Sequence, residues 1–228
     1  MQKPIWRSAR TRYGDGMKKR IILAVLAAVS STLPAYSQPA VAPPALAQPA
    51  ARLVVPTDDL VRVRIETSAG PIVVALDAKR APLTVANFLA YVDGSKLDGE
   101  GFYRAMPYGK GGLIQGGITS DARKLRKPVA HEPTSVTGLK NVAGALAMAR
   151  GEPGSARSDF FILTTDITAL DADSSDPGFA VFGRVVEGMD VVNAILAAPV
   201  SPTKGVGGMK GQMLDPPVKI VKAARLPE

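Results

Sequence analysis

Two segments carry the residue types best suited to chemistry. Residues 101–117 read GFYRAMPYGKGGLIQGG, and residues 144–164 read GALAMARGEPGSARSDFFILT. Each couples a strand-like apolar run to a glycine-rich turn. Between them they supply Arg104, Gln115 and a set of apolar side chains. That inventory lacks the activated nucleophile and the metal ligands of most hydrolases. It suits a reaction in which no covalent bond breaks.

Other chemistries fit poorly. A serine hydrolase needs a histidine base, and the only histidine, His131, sits in a proline-flanked loop with no G-x-S-x-G string in the chain. The glycines of residues 109–117 lack the spacing and the following helix of a phosphate loop. Asp171, Asp173 and Asp176 miss the EF-hand spacing and have no closing glutamate, so they read as a solvated acidic loop. The chain has no cysteine, which removes disulfides, thiolate zinc sites and a lipidated N-terminal cysteine. No cofactor and no metal are expected.

These residues need elements to position them. Residues 61–67 (VRVRIET) alternate with period two, as a half-buried strand does, and residues 69–71 turn the chain into a partner strand over 72–76. From Pro82 the period changes. Val85, Phe88, Leu89 and Val92 follow helical spacing, with proline in the first turn and Gly94 as a stop. Short strands are expected at 101–105, 113–115, 145–149, 160–164 and 179–185, and a second helix at 189–197. A last strand over 216–222 could pair beside the first. Many short strands with two helices predict a mainly β fold, a closed antiparallel barrel whose open ends the helices cover.

The N-terminal region reads differently. Residues 1–16 look like an upstream extension. Met17, Lys18, Lys19 and Arg20, the apolar run 21–29, and Ala35 and Ser37 form the three parts of a secretory signal over 17–37, with cleavage before Gln38 or, less well placed, near Ala47. Its apolar run falls short of the ~20 residues of a membrane span, although a retained anchor is the alternative. Residues 38–56 are an Ala/Pro-rich linker, and 57–228 form one domain. The formal charge of +8 invites nucleic acid as a partner. Yet residues 1–37 hold Lys3, Arg7, Arg10, Arg12, Lys18, Lys19 and Arg20 against Asp15 alone, so the processed chain is left near +2. Neither nucleic-acid binding nor stable membrane insertion is expected after processing, and nothing demands more than a monomer.

Five strings occur in one order: APLTVANF at 81–88, FYR at 102–104, IQGG at 114–117, MAR followed by SDFFI within 148–162, and FGRVVEGMDVV at 182–192. Through them the chain resembles the cyclophilin family of peptidyl-prolyl cis-trans isomerases, from about residue 61 to 224. The resemblance implies an eight-stranded barrel capped by two helices, and isomerisation of X-Pro bonds in unfolded or partly folded proteins. With the leader, it implies work on exported proteins, in the periplasm if the source is Gram-negative. It places the catalytic arginine at Arg104 and the glutamine that holds it and bonds the substrate backbone at Gln115. Phe161 falls at the floor of the proline pocket, Leu113 at a position usually methionine, and Leu170 and Phe179 at its far wall. Ala149 and Arg150 fall on the substrate-backbone edge.

Departures from the family pattern bear on activity. Asp159 stands where a glutamine is common, and an ionised carboxylate cannot donate a hydrogen bond; an ion pair with Arg104 or Arg150 becomes possible. Ala169 takes a wall position that is commonly aromatic. Residues 107–112 read as a longer connection than usual, with glycine near Gly112 in place of a pocket aromatic and Tyr108 as a substitute that could swing in. Reduced isomerase activity is expected. The rival reading is a non-catalytic module that binds proline-containing segments or a partner protein.

Overall fold

The computed structural model describes residues 60–227; the extension, signal and linker read from the sequence lie outside them. In chain order the strands are β1 (Leu60–Thr67), β2 (Gly70–Asp77), β3 (Gly101–Tyr108), β4 (Gly111–Gly117), β5 (Ala145–Met148), β6 (Phe160–Leu163), β7 (Val181–Glu187), β8 (Val200–Ser201) and β9 (Met213–Arg225). The helices are α1 (Pro82–Asp93), the single turn α2 (Thr134–Thr137) and α3 (Met189–Leu196). Hydrogen bonding runs β1-β2-β7-β5-β6-β4-β3-β9, and β9 pairs back onto β1. Eight strands therefore close a barrel, and β8 adds a two-residue edge to β9. Closure leaves no free edge along the eight.

The period-two patterns sort side chains between two faces. On β1, Val63 and Ile65 point inward at 0% exposure. On β4, β5 and β6, Ile114, Leu146, Met148, Phe160 and Ile162 join the barrel interior, while their neighbours Leu113, Ala145, Ala147, Phe161 and Leu163 form a second apolar cluster. A strand such as FFIL, buried along its whole length, thus serves two layers. Phe88 of α1 fills one end of the barrel, with ring centroids 5.3 Å from Phe160 and 5.2 Å from Phe182; Phe102 lies 5.6 Å from Phe160. The N-terminus of α1 has no side-chain cap of its own. The Glu132 carboxylate supplies one from 49 residues away, accepting from Leu83 N (3.1 Å), Thr84 N (2.7 Å) and Thr84 Oγ1 (2.6 Å).

The structure corrects several details. Residues 107–112 are not a long loop: β3 and β4 continue to Tyr108 and from Gly111, joined by the two-residue turn Gly109-Lys110. Pro107 fits this strand because β9 pairs with β3 only as far as Arg104, so the missing N–H breaks no ladder. A Cβ at Gly112 would sit 2.1 Å from Met106 O, so the hairpin requires glycine there. Tyr108 stays half exposed and does not line the cleft described below. β7 begins at Val181, leaving Phe179 in the preceding loop.

Candidate active site on the outer face of the barrel

The second apolar cluster forms the floor of a cleft of about 510 Å³ on the outer face of β3, β4, β6 and β5. All nine site residues expected from the sequence line it: Arg104, Leu113, Gln115, Ala149, Arg150, Asp159, Phe161, Leu170 and Phe179. Met106, Ile118, Leu125, Arg157 and Met209 line it as well. Ala169 is exposed and does not.

A β-bulge decides which side chains meet there. Phe102 pairs with Gly116 and Arg104 with Gln115, so Tyr103 is the extra residue of β3. Strict alternation would send Tyr103 and Arg104 to opposite faces. The bulge turns both outward, while Phe102 and Ala105 stay in the interior. Arg104 and Gln115 are then cross-strand partners, and Nη1 of Arg104 donates to Gln115 Oε1 at 2.9 Å. Gln115 Nε2 donates to the Tyr103 hydroxyl at 2.7 Å, and that hydroxyl donates to Asp159 Oδ2 at 3.1 Å. Ser158 Oγ donates to Asp159 Oδ1 at 3.2 Å. Gly117 leaves room for this carboxylate, since a Cβ there would lie 2.0 Å from Asp159 Oδ1.

The electrostatics follow from burial. Desolvation lowers the Arg104 pKa, yet a guanidinium so placed remains charged. Desolvation, then the nearby Asp159 charge, pushes the Tyr103 phenol far up, so it stays a neutral donor. Burial also raises the Asp159 carboxyl above its usual range, against the opposing hydrogen bonds from Tyr103 and Ser158. The two ion pairs that the sequence allowed for Asp159 are not formed; its partners are hydroxyls.

Arg150 pairs elsewhere. Its guanidinium donates to Gly178 O (2.8 Å), Gly151 O (2.8 Å) and Asp176 Oδ1 (2.6 Å), and lies 5.0 Å from the centroid of Phe179. It clamps the loop that carries Phe179, whose ring meets Phe161 edge-on at 5.5 Å. The backbone N–H of Ala149 is likewise engaged, with Asp159 O at 2.8 Å. Asp171 accepts from Asn141 and Asp173 from Ser175 and Asp176, so these loop carboxylates organise their own segment. His131 Nε2 donates to Pro177 O at 3.0 Å, which ties the same loop down.

The arrangement is an apolar floor with one fixed cation at its edge. A guanidinium carries five N–H groups. Arg104 uses one on each nitrogen: Nε to Gln212 Oε1 (2.8 Å), Nη1 to Gln115, and Nη2 to Met106 Sδ (3.2 Å). Among the described residues two donors are left without a partner, one on each terminal nitrogen. A protein family described as cyclophilin type peptidyl-prolyl cis-trans isomerase/CLD matches residues 62–225. The chain belongs to the cyclophilin family.

Relatives agree with this membership. Peptidyl-prolyl cis-trans isomerase A of Dickeya dadantii is 42% identical over 137 residues, covering 58% of this chain and 70% of the relative. The peptidyl-prolyl cis-trans isomerase of Acinetobacter baylyi is 37% identical over 163 residues, 70% of this chain and 82% of the relative. A cyclophilin type peptidyl-prolyl cis-trans isomerase of Cryptosporidium parvum superposes with a TM-score of 0.60 at 22% identity, over 74% of this chain and 99% of that one, a likeness of fold. Peptidyl-prolyl cis-trans isomerisation is the activity of this cyclophilin's family.

Sequence reasoning missed Met106, Tyr103, Met209 and Gln212 in this cyclophilin. Met106 had a signal, for it lies two residues beyond Arg104 on the same strand face. Tyr103 needed the bulge, and Met209, which lines the cleft, and Gln212, which bonds Arg104, come from more than 100 residues away.

Proposed function

We propose that Arg104 is the catalytic residue of this cyclophilin, donating from its unengaged terminal N–H groups to the prolyl nitrogen of an X-Pro bond. Rotation about an amide faces a barrier of ~18–20 kcal/mol, and unassisted prolyl isomerisation takes ~10–100 s. In the twisted amide the nitrogen lone pair localises. A fixed donor aimed at that nitrogen binds the twisted form better than the planar one, which is the condition for catalysis. The apolar floor of Phe161, Leu113, Leu170 and Phe179 would hold the proline ring and disfavour the charge-separated planar resonance form. The observation that carries this reading is a guanidinium held by three partners at the rim of an apolar cleft, with two donors to spare.

Activity is proposed to be reduced. Ala169 provides no wall, position 112 admits no side chain, and Asp159 offers only acceptors to a substrate backbone. The leader supports a role in the folding of exported proteins, in the periplasm if the source is Gram-negative. NMR exchange on a short X-Pro peptide tests the catalytic assignment: the wild type should exceed Arg104→Ala by at least tenfold. Equal rates with retained peptide binding would instead make this a binding module. N-terminal sequencing of the protein isolated from cells tests export; a start at Gln38 is expected, and an intact leader on cytoplasmic protein would refute it.

A further inference from the structure

We infer that Gln212 is a positioning residue for Arg104, and that residues 202–212 act as a strut for the site as well as a connection between strands. The inference rests on the reading of Arg104 as the catalytic group. Gln212 Oε1 accepts from Arg104 Nε at 2.8 Å, a contact that takes up neither terminal nitrogen. Gln212 Nε2 donates to Gly208 O at 2.9 Å, which fixes the amide with its oxygen toward the arginine. Gln115 is built the same way, with its oxygen on Nη1 and its nitrogen tied to Tyr103. Two amides, each oriented by a bond from its nitrogen, therefore grip the guanidinium along two of its edges.

The strut itself is anchored. Ala105 N, next in chain to Arg104, donates to Gln212 O at 2.9 Å. Gln212 N donates to Met209 O (3.1 Å), Gly211 N to Lys204 O (3.1 Å), and Lys204 Nζ pairs with Asp215 Oδ2 at 3.0 Å. Met209, on the same segment, lines the cleft. An arginine side chain has many rotamers, and a planar fork held at Nε loses most of them before substrate arrives. The grip at Nε leaves the terminal nitrogens to serve Gln115, Met106 and the substrate.

The test compares Gln212→Leu, which removes the acceptor at similar volume, with Gln212→Glu, which keeps one, and with Arg104→Ala as the benchmark. On an X-Pro peptide, Gln212→Leu is expected to lower kcat about tenfold with little change in KM, the value of one charge-assisted hydrogen bond. Gln212→Glu should stay within about threefold of wild type. In the wild type, the Arg104 Nε–H resonance should exchange slowly with solvent, and that protection should be lost in Gln212→Leu. Wild-type kcat in Gln212→Leu beside a dead Arg104→Ala would overturn the inference alone. An active Arg104→Ala would overturn the reading beneath it. If Gln212→Leu does not fold, fast exchange of the Nε–H in the wild type, or a tenfold loss in a folded Gln212→Glu, still refutes the strut.

Discussion

Replacing Tyr103 by phenylalanine removes a single oxygen from the middle of a relay. That oxygen accepts from Gln115 Nε2 at 2.7 Å and donates to Asp159 Oδ2 at 3.1 Å. Its loss leaves an amide hydrogen and one lobe of a largely buried carboxylate without protein partners. A buried polar group left unpaired costs about 1–3 kcal/mol. The cleft admits water and Ser158 still serves the other carboxylate oxygen, so the low end applies and about 1–2 kcal/mol of stability should be lost. For a domain of ~170 residues that is a fall in Tm of roughly 2–8 °C. The effect on catalysis is separate. With Tyr103 gone, only the bond from Arg104 itself keeps Gln115 Oε1 turned toward it, since the flipped form sets two donors face to face, and the amide is held less firmly. We expect kcat/KM on an X-Pro peptide to fall about three- to tenfold, roughly 0.7–1.4 kcal/mol at the transition state. Urea unfolding and NMR exchange measure the two effects. A variant with wild-type midpoint and wild-type kcat/KM would refute the relay. In a double-mutant cycle with Asp159→Asn, a coupling near zero would show that the hydroxyl and the carboxylate do not act together.

Asp159→Asn gives a pH test. Burial raises the Asp159 pKa in the folded state, so between the unfolded and folded values the native protein holds the extra proton, and its stability falls as pH rises through that window. The asparagine variant lacks this loss: its advantage over wild type in urea should grow from pH 3 to pH 7, and a constant difference would contradict the assignment. Glu132→Ala should destabilise the protein by about 1–2 kcal/mol, as loss of a helix N-cap does, with kcat on peptide unchanged; a matching loss of activity in the folded variant would show that the cap also serves the site. Gly112→Ala forces a Cβ to within 2.1 Å of Met106 O, so a loss of several kcal/mol and a disturbed β3–β4 hairpin are expected in denaturant unfolding. Ala169→Trp should lower KM for X-Pro peptides by restoring an apolar wall; an unchanged KM would remove the wall from the account of reduced activity.

The local sequence determined a good deal of this protein. Alternation at Val63 and Ile65, the change of period at Val85 and Phe88, and the stop at Gly94 report local backbone preferences, and β1 and α1 stand where their own residues place them. The motifs around Arg104, Gln115 and Phe161 also lie on single strands, so their gathering on one face follows from the order of those strands in the barrel. Other features required the closed structure. The bulge at Tyr103 is a property of pairing between β3 and its neighbours, and no pattern within β3 distinguishes it from plain alternation. The cap on α1 comes from Glu132, the partner of Asp159 proved to be a phenol instead of a guanidinium, and the second amide on Arg104 arrives from residue 212. Residue periodicity reports which face of an element seeks apolar surroundings. Hydrogen bonds between distant side chains depend on distances set only when the barrel closes, and those bonds orient the groups lining the cleft.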